Sequence, residues 1–466
     1  MTIIRRSYFR SVYDLLIDVA IASILILAGQ LLRAKIPVFQ KFFVPASMIA
    51  GFIGLAMGEQ GLGILPFSTS IGSYAGVLII LVFPFVGVNG FKMGETKGAG
   101  EEVKRVLSFN MYRFVIFFLQ FIIPITVTLT VIKAVNPEVN QGIGILLASG
   151  FTGGHGTAAA CGATFAELGW PEATDLGMTF ATIGILTGIF GGLAFVKWAT
   201  SKGYTGYIKD FNYISGDLRT GLVSKDNRTS IGEETISSVS LDTLCFHLAI
   251  VAGIAGLGYY LNANIIAVHL LKGIPDFTVA YLIALIFFFA LRKTPVYDYI
   301  DTNINQKISG TATDYLVFFG IASIKLTVIV EYAVPLVILT IAGLVCVFLT
   351  VIPLGYLMNK DSWFERSLFC FGYCTGVFAI GFVLLRIVDP ENKSKTVEDV
   401  AMTPFLNFIE IAFWSLIPAA LIAGKGWLVV GLVSLAFVIS LAVTIGGKMW
   451  YTAPLRERKT LGITEE

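Results

Sequence analysis

A glycine-rich stretch at residues 142–157 holds the residue types best suited to chemistry in this sequence. Six of its residues are glycine, and its polar side chains are Ser149, Thr152, His155 and Thr157. Each glycine costs about 1 kcal/mol relative to alanine in a helix interior, so the cluster predicts a break in a helix. At membrane depth, freed backbone groups are tolerated only where protein or a water-filled cavity satisfies them. Such carbonyls and hydroxyls could ligate a small cation, and freed amides could bind a carboxylate.

We therefore expect the unwound centre to bind substrate through five consecutive residues, Gly153, Gly154, His155, Gly156 and Thr157. The hydroxyls of Ser149 and Thr152 are candidate ligands for a coupling cation. A competing interpretation is that the glycines only allow close helix packing, which is typical of scattered glycines such as Gly184 and Gly188. The compactness of the cluster favours a break. The imidazole of His155 could move protons, although a hydrogen-bonded structural imidazole is more common.

A second, weaker glycine-containing stretch ends in an arginine. Thr375 and Gly376 lie in its middle and are candidate substrate ligands. Arg386 could pair bidentately with a substrate carboxylate. Alternatively, it could lie at the membrane boundary with its guanidinium among the headgroups.

One carboxylate lies in the middle of an apolar run. Glu410 follows Asn407 by three residues, so both side chains share one helix face. A carboxylate at the bilayer centre costs at least about 2.5 kcal/mol unless it is compensated. Glu410 could ligate sodium, exchange protons, or form a structural pair with a cation such as Lys325. Asn89, at the end of another apolar run, is a further candidate ion ligand.

The composition requires a membrane. Hydrophobic residues make up 56% of the 466-residue chain and charged residues only 14%, against about 25% in soluble proteins. Runs of roughly 20 apolar residues are long enough to cross a bilayer, and they are continuous rather than alternating, which favours helices over a barrel. Predicted spans lie near 14–33, 42–59, 72–91, 108–133, 173–197, 241–262, 275–291, 312–331, 333–358, 400–422 and 427–446. The broken stretches are 142–165 and 366–388. The net charge of +2 gives no indication of nucleic-acid binding, and we expect no metal site beyond the coupling ion.

Matching features recur in the same order in both halves of the chain. They are Pro45 and Pro275 before apolar helices, residues 175–179 and 399–403, and Gly156 and Gly376. Internal repeats of this size are typical of secondary transporters. The sequence predicts a first transmembrane repeat at 14–197, a cytoplasmic linker at 198–240, a second repeat at 241–422 and an extra C-terminal helix at 427–446. Asp175 and Asp399 begin helices in these repeats and are expected to act as caps.

The loop charges favour broken stretches that re-enter rather than cross. Lys and Arg concentrate on the cytoplasmic side of membranes, and loops 60–71 and 166–172 contain neither residue. If 142–165 crossed, the basic loop at 200–239 would lie outside. Re-entry leaves five crossings per half, so the fold class is an all-α polytopic membrane protein with two inverted-topology repeats of five spanning helices. Each repeat carries one glycine-rich re-entrant or discontinuous segment. The N-terminus is predicted outside the inner (plasma) membrane and the C-terminus in the cytoplasm.

Several of these stretches resemble the bacterial sodium/glutamate symporter family. The resemblance rests on Gly150–Thr157 with its Gly-Gly-His-Gly-Thr core, on 43–51, on 87–89 and on 372–376. It implies sodium-coupled uptake of glutamate by a homodimeric, inverted-repeat carrier with Na⁺ as coupling ion and no other cofactor. Residues 377–386 are more apolar than the family's pattern and end in Arg386, which leaves the substrate open among small anions.

Two other functions remain as alternatives. One is a proton-coupled carrier of a different organic anion. The other is a passive ion channel, which usually has rotational subunit symmetry around a pore. A membrane enzyme is disfavoured because the sequence contains no metalloprotease motif and no nucleophile elbow.

Overall fold

The structure is a computed structural model that describes residues 12–41, 44–89, 101–207, 216–270, 275–389, 393–401 and 404–451. All regular structure in these ranges is helical. The helices of the first half are α1 (Val12–Lys35), α2 (Pro37–Lys41), α3 (Ala46–Met57), α4 (Ile71–Asn89), α5 (Glu101–Val127), α6 (Lys133–Val135), α7 (Ile143–Phe151), α8 (Gly154–Glu167) and α9 (Ala173–Lys202). A π-helical turn at Thr128–Ile132 joins α5 to α6.

The helices of the linker and second half are α10 (Gly216–Thr220), α11 (Thr243–Leu261), α12 (Asp276–Leu291), α13 (Thr302–Ala322), α14 (Leu326–Glu331), α15 (Ala333–Met358), α16 (Trp363–Val388), α17 (Thr396–Ala401), α18 (Pro404–Ile422) and α19 (Gly426–Gly446). A π-helical segment at Asn262–Leu270 extends α11, and single 3₁₀ turns occupy Lys225–Asn227 and Pro295–Tyr299.

Within the described residues, seven helices are long and apolar enough to cross a membrane. They are Tyr13–Lys35, Ile71–Asn89, Lys104–Val135, Ala173–Lys202, Thr243–Ile266, Ala333–Met358 and Gly426–Gly446. Three shorter apolar helices accompany them, at Ala46–Met57, Asp276–Leu291 and Ile409–Ile422. The chain is therefore a multi-pass, all-helical membrane protein.

The predicted helix at 312–331 was placed wrongly. α13 begins ten residues earlier, at Thr302, and ends at Ala322, where the chain breaks before α14. The carboxylate of Asp301 caps the start of α13 by accepting from the backbone amides of Asn303 (2.6 Å) and Ile304 (3.3 Å). Hydropathy missed the first half of α13 because that half is polar, and its Ser309 and Thr313 face a cavity rather than lipid.

Removing this cap should weaken the start of α13. We expect Asp301→Ala to lower the free energy of unfolding by about 1 kcal/mol, because two helix amides lose their acceptor. Thermal unfolding in detergent measures the effect, with the exposed neighbour Asp298→Ala as control. Equal destabilisation by both substitutions would contradict the capping role.

The helices pack into two groups. The first group contains α1, α3, α4, α11, α12 and α13, in which α3 and α4 pack on α13 and α4 also packs on α12. The second group contains α5, α7, α8, α9, α15, α16, α18 and α19, in which α9 packs on α7, α8 and α16. The first group takes three helices from each half of the chain. The second takes four from the first half (α5, α7, α8 and α9) and three from the predicted second repeat (α15, α16 and α18), and α19 lies against α5.

The first broken stretch folds as a hairpin, hereafter the first hairpin (residues 142–167). α7 and α8 meet at Gly154, whose φ of +64° is the left-handed conformation that glycine adopts most readily. At the other end, a Cβ on Gly142 would lie 2.6 Å from the ring of Phe165. The chain therefore returns to the level at which it began.

The second broken stretch also reverses, although α16 is helical throughout. A Cβ on Gly372 would lie 2.7 Å from the Cα of Gly381, whereas nine residues of straight helix would separate them by about 13.5 Å. Arg366 near the start of α16 likewise contacts the carbonyl of Ser394, which follows its end, at 3.4 Å. Residues 363–388 are called the second hairpin below.

The tips of the two hairpins meet against the middle of α9. A Cβ on Gly184 would lie 2.4 Å from the carbonyl oxygen of Thr375 in the second hairpin and 3.0 Å from the ring of Phe151 in the first. Glycine at this position allows three backbones to approach closely.

The bases of the hairpins lie toward opposite ends of α9. Gly162 of the first hairpin packs against Thr174 in the first turn of α9, where a Cβ on Gly162 would lie 2.6 Å from the Thr174 Cα. Gly191, more than four turns along α9, packs against the ring of Phe371 in the second hairpin. The hairpins thus enter the bundle from its two ends.

Asp175 and Asp399 do not cap their own helices, contrary to expectation. Asp175 accepts from the backbone amide of Lys325 at 2.9 Å. Asp399 is fully buried and accepts from Arg105 (3.0 Å) and Arg366 (2.6 Å). Asp175 thus contacts the start of α14, and Asp399 contacts the second turn of α5, each in the other predicted repeat, while Arg366 belongs to the same predicted repeat as Asp399. Sequence periodicity along one helix does not reveal such contacts.

Candidate functional site

A cavity of about 490 Å³ lies between the two helix groups. α4 and α13 of the first group form one wall. The tip of the first hairpin, α9, the second hairpin and α18 form the other. Its polar lining residues are Thr152, His155, Thr157, Ser309, Thr313, Tyr373 and Glu410. Ile79, Val82, Phe83, Val86, Ile185, Leu316, Val317, Ile411 and Trp414 supply apolar walls. A mostly apolar pocket with a few convergent polar groups is typical of small-molecule sites.

The structure brings six of the predicted site residues to this cavity. They are Thr152, Gly153, His155, Gly156, Thr157 and Glu410. Gly154 provides the turn between them but does not line the cavity. The cluster in the first hairpin and the acid on α18 are more than two hundred residues apart in sequence, so only the packing of the hairpin against α18 makes them one site.

Glu410 carries the only acidic group among the described residues of the cavity wall, and it belongs to a buried cluster. Its carboxylate accepts from the hydroxyl of Tyr373 at 2.5 Å and lies 3.7 Å from the guanidinium of Arg113 on α5. The Arg113 guanidinium also stacks over the Tyr373 ring, 4.7 Å from its centroid. The side chain of Glu410 is 16% exposed and that of Arg113 only 3%. The carboxylate therefore faces the cavity while its counter-charge lies behind it.

The suggested pairing of Glu410 with Lys325 was wrong, because Lys325 lies beside Asp175 at the far end of α9. Arg113, Tyr373 and Gln120 were not among the predicted site residues. Arg113 and Gln120 are two turns apart on one face of an otherwise apolar spanning helix. That pattern marks a face turned toward protein and could have identified both residues.

Gln120 connects the two hairpins. Its side-chain oxygen accepts from the hydroxyl of Thr152 at the tip of the first hairpin. Its amide donates to the carbonyl of Cys374 in the second hairpin at 2.9 Å. Because both groups are buried, a movement of either hairpin alone would leave a polar group unpaired.

His155 is held from behind by one hydrogen bond. The ring Nε2 lies 3.1 Å from the hydroxyl of Thr182, which is also 3.0 Å from the carbonyl of Met178. His155 is 2% exposed. The contact orients the imidazole in the cavity wall, and a structural role for it stays a prediction.

The remaining predicted residues lie outside the cavity. Ser149 bonds the carbonyl of Leu146 within α7, and Thr375 bonds that of Phe371 within α16. Asn89 accepts from the side chain of Asn305 at 2.9 Å and so ties α4 to α13.

Two more predicted substrate ligands also lack a contact with the cavity. Gly376 packs against Ile185. Arg386 is exposed near the end of α16, so the cation nearest the site among the described residues is Arg113. Asn407 lies in α18, but its side chain is outside the described residues.

Removing the Tyr373 hydroxyl tests the cluster with little change in shape. We expect Tyr373→Phe to lower the free energy of unfolding by about 1.5–3 kcal/mol, because a hydrogen bond to a carboxylate is lost. Thermal unfolding in detergent gives the measurement, with the exposed Tyr259→Phe as control. A shift no larger than that of the control would show that the hydroxyl does not support Glu410.

One family model matches the chain, and no curated protein does. The match is to the sodium/glutamate symporter family and covers residues 12–383. It includes the first hairpin, α9 and most of the second hairpin, and it ends before α18 and α19. The chain belongs to the sodium/glutamate symporter family.

Proposed function

We propose that this protein couples a sodium gradient to the uptake of glutamate or a related small carboxylate by alternating access. The observation that carries the proposal is the cavity between the two helix groups. The unwound tip of the first hairpin and the carboxylate of Glu410 both form part of its wall. Family membership supports sodium and glutamate as the transported pair.

Within the cavity, we assign the anionic substrate to the tip of the first hairpin, at Gly153, His155, Gly156 and Thr157. The amide of Gly153 is bonded to the carbonyl of Ser149, whereas α8 begins at Gly154, and the first amides of a helix have no intrahelical acceptor and could bind a carboxylate. The cation is assigned to Glu410 and the hydroxyl of Thr152, which are hard oxygen ligands of the kind sodium prefers.

Electrostatics supply a reason for coupling. Two like charges 4 Å apart interact by about 4 kcal/mol at the effective dielectric of a protein site. Arg113 lies 3.7 Å behind the Glu410 carboxylate and is the less exposed of the two, so a substrate anion in the cavity meets the carboxylate first. That anion is repelled by Glu410, less strongly than by an unpaired carboxylate, until a cation binds on the cavity side. Sodium bound at Glu410 would raise the affinity for substrate, and substrate would raise the affinity for sodium by the same factor.

The packing of the hairpins supports an inverted repeat. The two hairpins enter from opposite ends of α9, and Asp175 and Asp399 each contact the helix-start segment of the other half. We therefore retain the proposed repeats at 14–197 and 241–422, the linker at 198–240 and the added helix at 427–446. The proposed orientation places the N-terminus outside the inner (plasma) membrane and the C-terminus in the cytoplasm, as a homodimer.

A proton-coupled carrier of another organic anion is the second candidate. One observation favours it: the carboxylate of Glu410 is partly open to the cavity and hydrogen-bonded to Tyr373, so a proton could take the place of the cation. A passive channel, the third class, requires no coupling at all.

Reconstitution into liposomes separates these functions. Uptake of labelled glutamate, aspartate and a dicarboxylate is measured under a sodium gradient, a proton gradient or neither. We expect saturable, uphill uptake driven by sodium. Uptake driven by protons alone would favour the second candidate, and flux that never exceeds equilibrium would indicate a channel. If neither the sodium gradient nor the proton gradient drives uptake of any of these carboxylates, the proposal is refuted.

A further inference from the structure

A second cavity lies away from the proposed transport site, at the end of the bundle where the second hairpin has its base. It has a volume of about 180 Å³ and lies between the first turns of α5 and the connection from α15 to α16. Lys104, Arg105, Lys360 and Arg366 contribute four cationic side chains to its wall, and Asp361 contributes one carboxylate. This cavity is called the basic pocket.

The charges of the basic pocket do not balance. Asp399 does not line the pocket, but its buried carboxylate pairs with Arg105 and Arg366. Together with Asp361, and with Glu365, which interacts with Arg366, it supplies three negative charges against four positive ones among the described residues. Neither Lys104 nor Lys360 has an ion pair within the described part of the chain. Positive charge is therefore in excess there, and the two lysines are not neutralised by a described carboxylate.

Arg366 adds buried positive charge next to this pocket. It is 1% exposed, and its Nη2 bonds Asp399 at 2.6 Å. Because the guanidinium has almost no accessible surface, it contributes its charge to the pocket rather than a donor that a ligand could contact directly. Ring stacking over Phe109, with 5.5 Å to the centroid, holds the guanidinium in place.

The size of the pocket restricts the ligand. Pockets for drug-sized ligands usually measure about 300–1,000 Å³, so 180 Å³ suits a single compact anion. A phosphate group carries about −1.5 to −2 charges near pH 7 and presents three acceptor oxygens, which suits a small site with an excess of positive charge. Arginine forks and lysine ammonium groups are its usual partners.

We propose that the basic pocket binds a phosphate group, presented either by an anionic phospholipid headgroup or by a soluble phosphate. The bound group would bridge α5 to the connection before the second hairpin through Lys104 and Lys360, with the positive charges of Arg105 and Arg366 next to it. Basic pockets between transmembrane helices on the cytoplasmic side are known to bind phosphorylated headgroups. The proposal does not depend on which solute the protein transports.

The test uses the purified full-length protein and potassium salts, so that sodium does not interfere. Thermal unfolding in detergent is followed against potassium phosphate, with potassium chloride at equal ionic strength as reference. A second arm compares phosphatidylcholine vesicles with and without phosphatidylglycerol. The variants are the pair Lys104→Gln and Lys360→Gln, and a control pair, Lys197→Gln and Lys202→Gln, two exposed lysines near the end of α9.

We expect phosphate, phosphatidylglycerol or both to raise the unfolding midpoint of the unmodified protein and of the control pair. The Lys104 and Lys360 pair should need at least about tenfold more ligand, because charged hydrogen bonds are lost. Stabilisation by the lipid alone would identify a headgroup site, and stabilisation by phosphate alone a soluble ligand. No stabilisation in either arm, or equal weakening in both variant pairs, would overturn the proposal.

Discussion

Sodium-driven uptake should be abolished when Glu410 is replaced by glutamine. Removing the positive charge of Arg113 as well, so that no unpaired buried charge remains, should not restore it. The substitution removes the proposed cation ligand and also leaves Arg113 without its nearby carboxylate. Breaking a buried pair from one side typically costs about 3–5 kcal/mol. Loss of transport by Glu410→Gln alone could therefore reflect poor folding.

A double-mutant cycle separates the two effects. Arg113→Met alone should destabilise the protein by a similar amount, because Glu410 is then left without the cation. The double variant removes both charges and should recover most of the stability, since apolar replacement of a buried pair is often close to neutral. Thermal unfolding and liposome uptake are measured on all four proteins.

The expected pattern is a stable double variant without sodium-driven uptake. Substrate binding to that variant, measured by scintillation proximity with labelled glutamate, should no longer depend on sodium, because the repulsion that sodium removes is gone. If the double variant transports with unchanged sodium dependence, Glu410 has only a structural role and the cation site lies elsewhere.

The second large effect is expected at Gly184, where the hairpin tips meet. A methyl group there would lie 2.4 Å from the carbonyl oxygen of Thr375, a backbone atom that cannot move independently. Gly184→Ala should therefore separate the tips and disturb the contacts of Gln120 with both hairpins. Overpacking of this kind typically costs about 1–3 kcal/mol, and we expect at least about a tenfold loss of uptake, equivalent to about 1.4 kcal/mol in the transition state.

Gly253→Ala in α11 is the matched control. A Cβ at Gly253 meets no atom within 4 Å, so the substitution should be neutral or stabilise the helix by up to about 1 kcal/mol. Unfolding midpoint and uptake rate are compared for the two variants. Normal uptake by Gly184→Ala would show that close contact of the tips is not needed for transport.

Much of this protein was predictable from local sequence because the bilayer restricts the choices. Length and hydropathy located the spanning helices, and α15 coincides with the predicted range 333–358. The glycine cluster predicted a break within residues 142–157, and the turn lies at Gly154, whose left-handed conformation disfavours a side chain. The predicted range 312–331 missed the start of α13, because the polar residues of α13 face a cavity. Hydropathy depends on which residues a segment contains and not on what surrounds them.

The partners of the polar side chains could not be obtained this way. Asp399 pairs with Arg105, nearly three hundred residues away in the sequence. Asp175 accepts from the backbone amide of Lys325, which lies in the second half of the chain. A capping interpretation was reasonable for each aspartate alone. Only the packing of the two halves against each other brings these groups together.

The sequence by itself thus determined the membrane class and the glycines at which the first hairpin turns, which follow from local free energies of transfer and backbone conformation. The tertiary structure alone decided which side chains line the cavity. Glu410 and Thr152 reach the cavity, Arg113 balances the acid, and Arg386 remains outside. The physical reason is that burial of a charge depends on neighbours distant in sequence, so its partner is fixed by packing.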